Sequence, residues 1–463
     1  MSNLLNNQLK LGFAPTRRDL FSREDAVKYK DLTFQKLKSL GIDTVDIEWL
    51  NDEGLLYDTA DVNKVAARFQ REGVDALFVP HCNFGTEEAI ARLGKIMNKP
   101  LLLWGPRDES PLADGTRLRD SQCGLFATSK VLDRMGVKFS YIENCRLEDD
   151  QFAEGMLRFI ASVNIVKKFN GMRIGQIDTR PGSFLSVMCN EAELLGKFDI
   201  ELVPITLVDI EKAVDMKMNK QKDMLEKDIE EYKTRLKIDF EDIHLLKMAA
   251  LKHVLKEWAV KENLSAIAFQ CWDALQKAIG IAPCFVNSEL TGEGLPVVCE
   301  TDICGAVSAV IAQAAMMDRE PIFFADMTVR HPDNNNAELL WHCGPFPYKL
   351  KKESSEARLG RHFTLDSKCP GVAEWEIKGG EISICRFDGG NGQYSITAAK
   401  GKGIEGPYCR GTYVWTEFKD WPSLEKKFIM GPYIHHVAGI HGDIIPSIKE
   451  ALRYLPDIID DIL

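Results

Sequence analysis

Apolar runs and helical spacings alternate along the first 165 residues. The run 9-LKLGFAP-15 predicts a strand that stops at Pro15, and residues 23–40 carry a helical spacing that ends at Gly41. A buried strand follows at 75-DALFVP-80, then a helix over Thr86–Met97, then a strand at 100-PLLLWG-105. This rhythm argues for a parallel sheet with helices on its faces. Ligands approach such sheets at the carboxyl ends of the strands. The segments found there, APTRRD, PHCNFGT and WGPRDE, are polar and rich in turn residues.

A second unit of the same kind starts near Gly171, with a strand at 172-MRIGQID-178 followed by Arg180 and Pro181. Residues 209–261 are mostly helical and heavily charged, with a break around Ile238–Asp239, and the charges over Lys220–Arg235 read as a solvated helix face. The run 264-LSAIAFQCW-272 is a strand whose end delivers Gln270, Trp272 and Asp273. A strand at 296-PVVC-299 leads through Glu300, Thr301 and Asp302 into 303-ICGAVSAVIAQAAMM-317, a helix so apolar that it must be buried. A further strand, 322-IFFADM-327, ends at Asp326. Beyond about residue 370 the period changes to two, interrupted by glycine turns, which predicts antiparallel hairpins of a small barrel or sandwich. A last helix covers Pro446–Leu455. The pattern predicts an α/β chain of two Rossmann-like parallel-sheet domains, 1–165 and 166–300, followed by a β-rich, barrel-like domain over 301–463.

Composition narrows the function. A chain of 463 residues suits two or three domains. Its net charge of −11 argues against a nucleic-acid partner. No apolar run approaches the length of about 18 residues that a membrane span needs. The N-terminal MSNLLNNQLKLGF has no basic flank, apolar core and small-residue cleavage site, so a cytoplasmic location is expected. The twelve cysteines form no CxxC pair and are expected to be free thiols. There is no GxxxxGK[ST], no GxGxxG after a strand of the first domain and no GxSxG elbow, which weighs against a P-loop ATPase, a dinucleotide enzyme and an α/β-hydrolase.

Two acids in an apolar setting, Glu300 and Asp302, are the sharpest chemical signal, because a buried carboxylate needs a partner or a cation. Read as strand residues, they stand at i and i+2 and face one cavity. Asp302 is also placed to cap the helix that follows. Six of the nine histidines lie beyond residue 330, three of them in 433-YIHHVAGIHGD-443. His435 and His436 point opposite ways on a strand, so at most one of them reaches a given site. Two carboxylates and one imidazole suit Mn²⁺ or Mg²⁺ better than Zn²⁺. His342, in the turn WHCGPFP, either lines that pocket or is a loop histidine.

The ordered landmarks CWDAL, LPVVCETDICGAV, FFADMTVR, HCGPFP and HHVAGIHGD resemble the L-fucose isomerase and L-arabinose isomerase superfamily, on the fucose isomerase side. The landmarks span about 170 residues, and the α/β layout extends the likeness loosely over the whole chain. The resemblance implies a metal-dependent aldose–ketose isomerase that acts on a monosaccharide or a derivative, such as a 6-deoxy or 6-sulfo sugar, through a cis-enediol. It implies Mn²⁺, with Mg²⁺ or Co²⁺ as alternatives, and a homo-oligomer, trimeric or hexameric, with sites between subunits. Matching the motifs makes Asp302 and His436 metal ligands and Glu300 either a ligand or the base, with Asp302 also a catalytic candidate. The family's upstream glutamate falls near Ile279–Ala282, where there is no acid; Glu300, Asp273 or Asp326 would substitute. Trp272 and His342 are expected to line the sugar site, and Arg17, Arg18 and Arg180, at strand ends, to read a distal hydroxyl or an anionic group. The alternative is a sugar-binding protein that keeps the fold and has lost the chemistry.

Overall fold

The computed structural model describes residues 9–272, 274–363, 365 and 368–463. The chain divides into two compact units, Met1–Lys167 with Arg453–Leu455, and Lys168–Leu452 with Pro456–Leu463.

The first unit is a parallel sheet of β1 (Leu11–Phe13), β2 (Thr44–Val45), β3 (Ala76–Pro80), β4 (Leu101–Trp104) and β5 (Ser140–Tyr141). Their order is β2-β1-β3-β4-β5. Leu77, Phe78 and Val79 are fully buried, as both faces of a helix-covered sheet require. The helix expected over 23–40 runs Arg23–Ser39, started by Ser22, whose side chain accepts from the Asp25 N–H. The helix expected over 86–97 runs Glu87–Met97 and stops at Asn98 in the left-handed region.

The second unit contains two sheets. β6 (Arg173–Ile177) and β7 (Glu201–Ile205) are followed by helices Leu207–Lys220, Lys222–Arg235 and Asp242–Glu262, with the short β8 (Lys237–Ile238) before the third helix. β9 (Ala266–Phe269) and β10 (Val297–Cys299) complete a parallel sheet of order β10-β9-β6-β7. The break expected at Ile238–Asp239 is β8, which pairs outside this sheet.

The larger sheet is built from β11 (Phe323–Arg330), β12 (Ala337–His342), β13 (Arg358–Arg361), β14 (Pro370–Glu376), β15 (Gly380–Gly390), β16 (Gln393–Ile404), β17 (Thr412–Phe418), β18 (His436–His441) and β19 (Ile458–Asp460). Six of them run β16-β15-β18-β11-β12-β17, and β17 pairs back onto β16. Each of these pairings is antiparallel, so the ring is a closed barrel without free edges. β14, β13 and β8 extend it beside β17, and β19 runs parallel to β16. Phe323, Ala325, Leu340, Val414, Ile384 and Val437 come from five of the barrel strands and share one buried core. The α/β fold class with a β-rich, barrel-like C-terminal part is as the pattern predicts, except that the barrel begins at β11 rather than near residue 370. The helix Ile303–Ala315 is buried, packing against β15 and β18 on one side and β9 on the other. Among the described residues, no helix is long and apolar enough to cross a membrane.

Candidate active site

β10 ends at Cys299, and the two residues after it leave the extended region: Glu300 has φ 57° and Thr301 φ 56°. The period-two argument therefore does not apply to Glu300 and Asp302. Two consecutive left-handed residues turn the chain sharply between strand and helix, a strain usually retained where geometry matters for function. Asp302 follows as the cap of helix Ile303–Ala315, its Oδ1 accepting from the Gly305 N–H at 2.9 Å. A Cβ at Gly305 would lie 2.6 Å from both Asp302 Oδ2 and Phe324 Cζ, so only glycine fits there.

The two carboxylates converge on one imidazole from opposite sides. His436, at the start of β18, shares a hydrogen bond of 2.8 Å between its Nδ1 and Asp302 Oδ2. A carboxylate only accepts, so Nδ1 carries a proton, and in the neutral ring this leaves a lone pair on Nε2. Glu300 Oε2 lies 3.5 Å from that Nε2, and Asp326 Oδ1 lies 3.4 Å from it. Asp326 sits on β11 directly opposite His436 in the register. Both oxygens are buried and make no hydrogen bond among the described residues. The other Glu300 oxygen accepts from Trp272 Nε1–H at 3.0 Å and from the Cys271 thiol at 3.5 Å.

His342 approaches the same carboxylate with the opposite tautomer. Its Nδ1 accepts from the Cys343 N–H at 2.8 Å, which leaves the proton on Nε2, 3.7 Å from Glu300 Oε2. Of the two buried histidines, His436 offers a lone pair and His342 a donor.

Arg386, on β15, completes the buried surroundings. Its guanidinium binds both oxygens of Asp302, the NH2 bond being 3.1 Å, and donates twice to Asp388 Oδ2 at 2.7 and 2.8 Å. Burial pushes the Asp302 carboxyl up, but Arg386 and His436 outweigh it and hold the group well below the usual carboxylate range. Burial likewise pushes Glu300 up, and the neighbouring His342 and His436 bring it below its ordinary value. Burial depresses both histidines, and the surrounding acids reverse the sign, so His436 and His342 are both raised.

Five residues singled out in the sequence thus meet: Glu300, Asp302, His436, Trp272 and His342. Arg180 follows β6 on the loop that carries Phe184, whose ring stacks on Trp272 at 5.8 Å, but its guanidinium donates to the Pro181 and Gly182 carbonyls. Arg17 and Arg18 belong to the first unit. Arg17 is buried against Glu53 and Asp19 over the Tyr57 ring, and Arg18 lies over Phe84, 3.7 Å from Glu87. Asp273 lies outside the described residues. Arg386, Cys271 and Phe184 were not foreseen. Asp326 was foreseen only as a substitute, its signal being a lone acid at the end of an apolar strand.

The donor set fits a divalent cation. Asp326, His435 and His436 each bring a ligand atom, all within 4.8 Å of one another. Glu300 Oε2 adds a second unpartnered carboxylate oxygen beside His436 Nε2. Two hard oxygens and two imidazoles match Mn²⁺ or Co²⁺, and Mg²⁺ less well.

Residues 12–170 match the family model of the fucose/sulfoquinovose isomerase N-terminal domain. The chain is 26% identical to the sulfoquinovose isomerase of Priestia aryabhattai over 447 residues, covering 96% of this chain and 97% of that protein. It is 27% identical to the sulfoquinovose isomerase of Alkalicoccus urumqiensis, covering 82% of this chain and 84% of the relative. It is 23% identical to that of Clostridium sp. (strain MSTE9), covering 83% and 84%. These matches bear out the resemblance to the fucose isomerase-like family.

Proposed function

We propose that the chain is a divalent-metal-dependent aldose–ketose isomerase acting on a hexose that carries a sulfonate at C6, such as sulfoquinovose. The convergence of Glu300 Oε2 and Asp326 Oδ1 on the His436 Nε2 lone pair carries the reading. The relatives, each named a sulfoquinovose isomerase, support the substrate class.

In this reading Asp326 and His436 would hold the cation, with Asp326 supplying the acid that the family pattern puts near Ile279–Ala282, and Glu300 stands beside them as the base. Asp302 does not coordinate; saturated by Arg386, His436 and the helix N-terminus, it orients His436. A bound divalent ion supplies Lewis-acid polarisation of adjacent sugar oxygens. Isomerisation moves one proton from C2 to C1 and another from O2 to O1. Glu300, held as a carboxylate, takes the carbon-bound proton at Oε2 and returns it to the neighbouring carbon. Trp272 and Cys271 fix its other oxygen, which orients the lone pair in use. His342, with its proton on Nε2, donates to a sugar oxygen and receives that proton back from the adjacent one. Phe184 and Trp272 form an apolar wall that excludes water, and the Arg180 loop meets the sulfonate end.

The decisive experiment is turnover of sulfoquinovose to its ketose with Mn²⁺, in wild type and in Glu300→Gln. We expect conversion with incorporation of solvent deuterium at the transferred carbon position, and a loss on the order of a thousandfold in kcat for the variant. Sulfoquinovose that binds but never exchanges its C2 proton in D₂O would reduce the protein to a sugar-binding module.

A further inference from the structure

Two thiols that the isomerase proposal does not use touch each other in the second unit. Cys284 opens the helix Cys284–Gly292, and Cys343 follows β12. Their sulfurs stand 3.3 Å apart, although 59 positions separate them in the chain. Both residues are buried, Cys284 being 2% and Cys343 8% exposed. Ala282 and Val372 share their apolar cluster, and Trp341, Phe363 and Cys369 pack against it. A disulfide is about 2.05 Å long, so closing this contact brings the sulfurs together by about 1.2 Å. Apolar surroundings accept that bond without leaving a donor unmet, because a disulfide has no hydrogen to donate.

A metal ion is the other partner that two thiols suggest, and the third group present argues against it. His362 brings a ring nitrogen within 4.8 Å of both sulfurs. Burial and the charge of His342 lower His362 to about 4, so its ring is neutral near pH 7. Its Nδ1 accepts from the Leu365 N–H at 3.1 Å, which puts the ring proton on Nε2. A metal-bound imidazole needs the reverse, with its second nitrogen donating.

We infer that Cys284 and Cys343 form a reversible disulfide when the protein meets hydrogen peroxide, and that the new bond displaces His342. His342 directly precedes Cys343. Its Nδ1 accepts from the Cys343 N–H at 2.8 Å and lies 3.3 Å from the Cys343 sulfur, so a base stands ready for the thiol proton. The Cys343 sulfur attacks one peroxide oxygen, which gives a sulfenic acid and one water. The Cys284 sulfur then attacks the Cys343 sulfur, the S–S bond forms, and the second oxygen leaves as water. The two thiols lose two electrons and two protons, and the peroxide is reduced to two waters. The Cys284 contact and burial push the Cys343 thiol well above its ordinary range, so the pair rests protonated and responds slowly. Formation of the bond is independent of the isomerase proposal. Its effect on turnover rests on that proposal, through the His342 proton that serves the sugar.

The test treats the intact protein with hydrogen peroxide, alkylates the remaining thiols and maps the unreduced peptides by mass spectrometry. We expect a cross-linked Cys284–Cys343 peptide that dithiothreitol removes and that Cys284→Ser lacks. Turnover of sulfoquinovose should fall about tenfold as the cross-link forms, because His342 is shifted by a fraction of an ångström to an ångström. It should recover with dithiothreitol and stay high in Cys284→Ser. The exposed Cys123 reports that the oxidant has acted. Oxidised Cys123 without the Cys284–Cys343 peptide would overturn the inference, and so would Cys343 joined to a different cysteine. A cross-link that leaves turnover unchanged would overturn the displacement of His342. Absence of turnover in the reduced protein would count against the isomerase proposal instead, and the peptide map would still decide whether the disulfide forms.

Discussion

The two sides of the His436 ring are built differently. On the Nδ1 side every charge is met: Asp302 accepts from His436, from Gly305 and from Arg386, and Arg386 also holds Asp388. On the Nε2 side Glu300 Oε2, Asp326 Oδ1 and His342 Nε2 are buried near one another without hydrogen-bond partners among the described residues. The satisfied side needs nothing further, and in the proposed reading its carboxylate is a positioning group. The unsatisfied side stores a desolvation cost that a bound cation and sugar would relieve. Burial alone therefore does not single out a metal ligand. What separates Asp302 from Asp326 is whether neighbouring donors have already taken its oxygens.

Breaking the satisfied side should have the largest effect. Arg386→Met removes the one cation between two buried carboxylates, and we expect a loss of about 3–5 kcal/mol in unfolding free energy. Urea denaturation would measure it. An effect below about 1 kcal/mol would mean that Asp302 and Asp388 are not dependent on Arg386.

A comparison of carboxylates sharpens the contrast. Mn²⁺ binding, followed by the electron paramagnetic resonance of the free ion, is expected to fall about 10- to 100-fold in Asp302→Asn, because His436 loses the group that sets its tautomer. Asp326→Asn removes a ligand outright and should weaken binding at least tenfold more than Asp302→Asn. Equal losses in the two variants would return Asp302 to the coordination sphere.

Much of this arrangement is legible in the sequence, and the failures have identifiable causes. The parallel strands are written as short apolar runs, and the buried helix as an unbroken one, because both of their faces are covered. Glu300, Asp302, Trp272, His342 and His436 are marked by polar residues at the ends of apolar segments. The turn at Glu300–Thr301 is not legible, because strand periodicity carries no notice that the strand stops at Cys299. Arg386 is invisible for another reason: it lies inside an alternating strand, 84 residues from the Asp302 it serves. Arg17 and Arg18 were attractive because they end a strand, but local position does not disclose that Glu53, Asp19, Phe84 and Glu87 surround them. Closure of the barrel through β16 and β17 rests on a long-range pairing that no local pattern encodes.

The smallest expected effect compares two buried glutamates. Glu300 is ringed by histidines and lies below its ordinary value, whereas at Glu338 burial dominates, Arg330 only partly offsets it and Glu425 adds to the rise, which brings the group to about 7. In the unfolded chain a glutamate loses its proton near 4.5. Between those two values the folded state holds more protons than the unfolded state, so stability falls as pH rises through the window and levels off above it. Glu338→Gln cannot titrate and removes that slope. Thermal unfolding followed from about pH 5 to about pH 8 should therefore show the wild-type Tm falling further than that of Glu338→Gln, by on the order of a few degrees. Parallel wild-type and Glu338→Gln curves would mean that the Glu338 carboxylate is matched by a charge in solution, and the contrast with Glu300 would disappear.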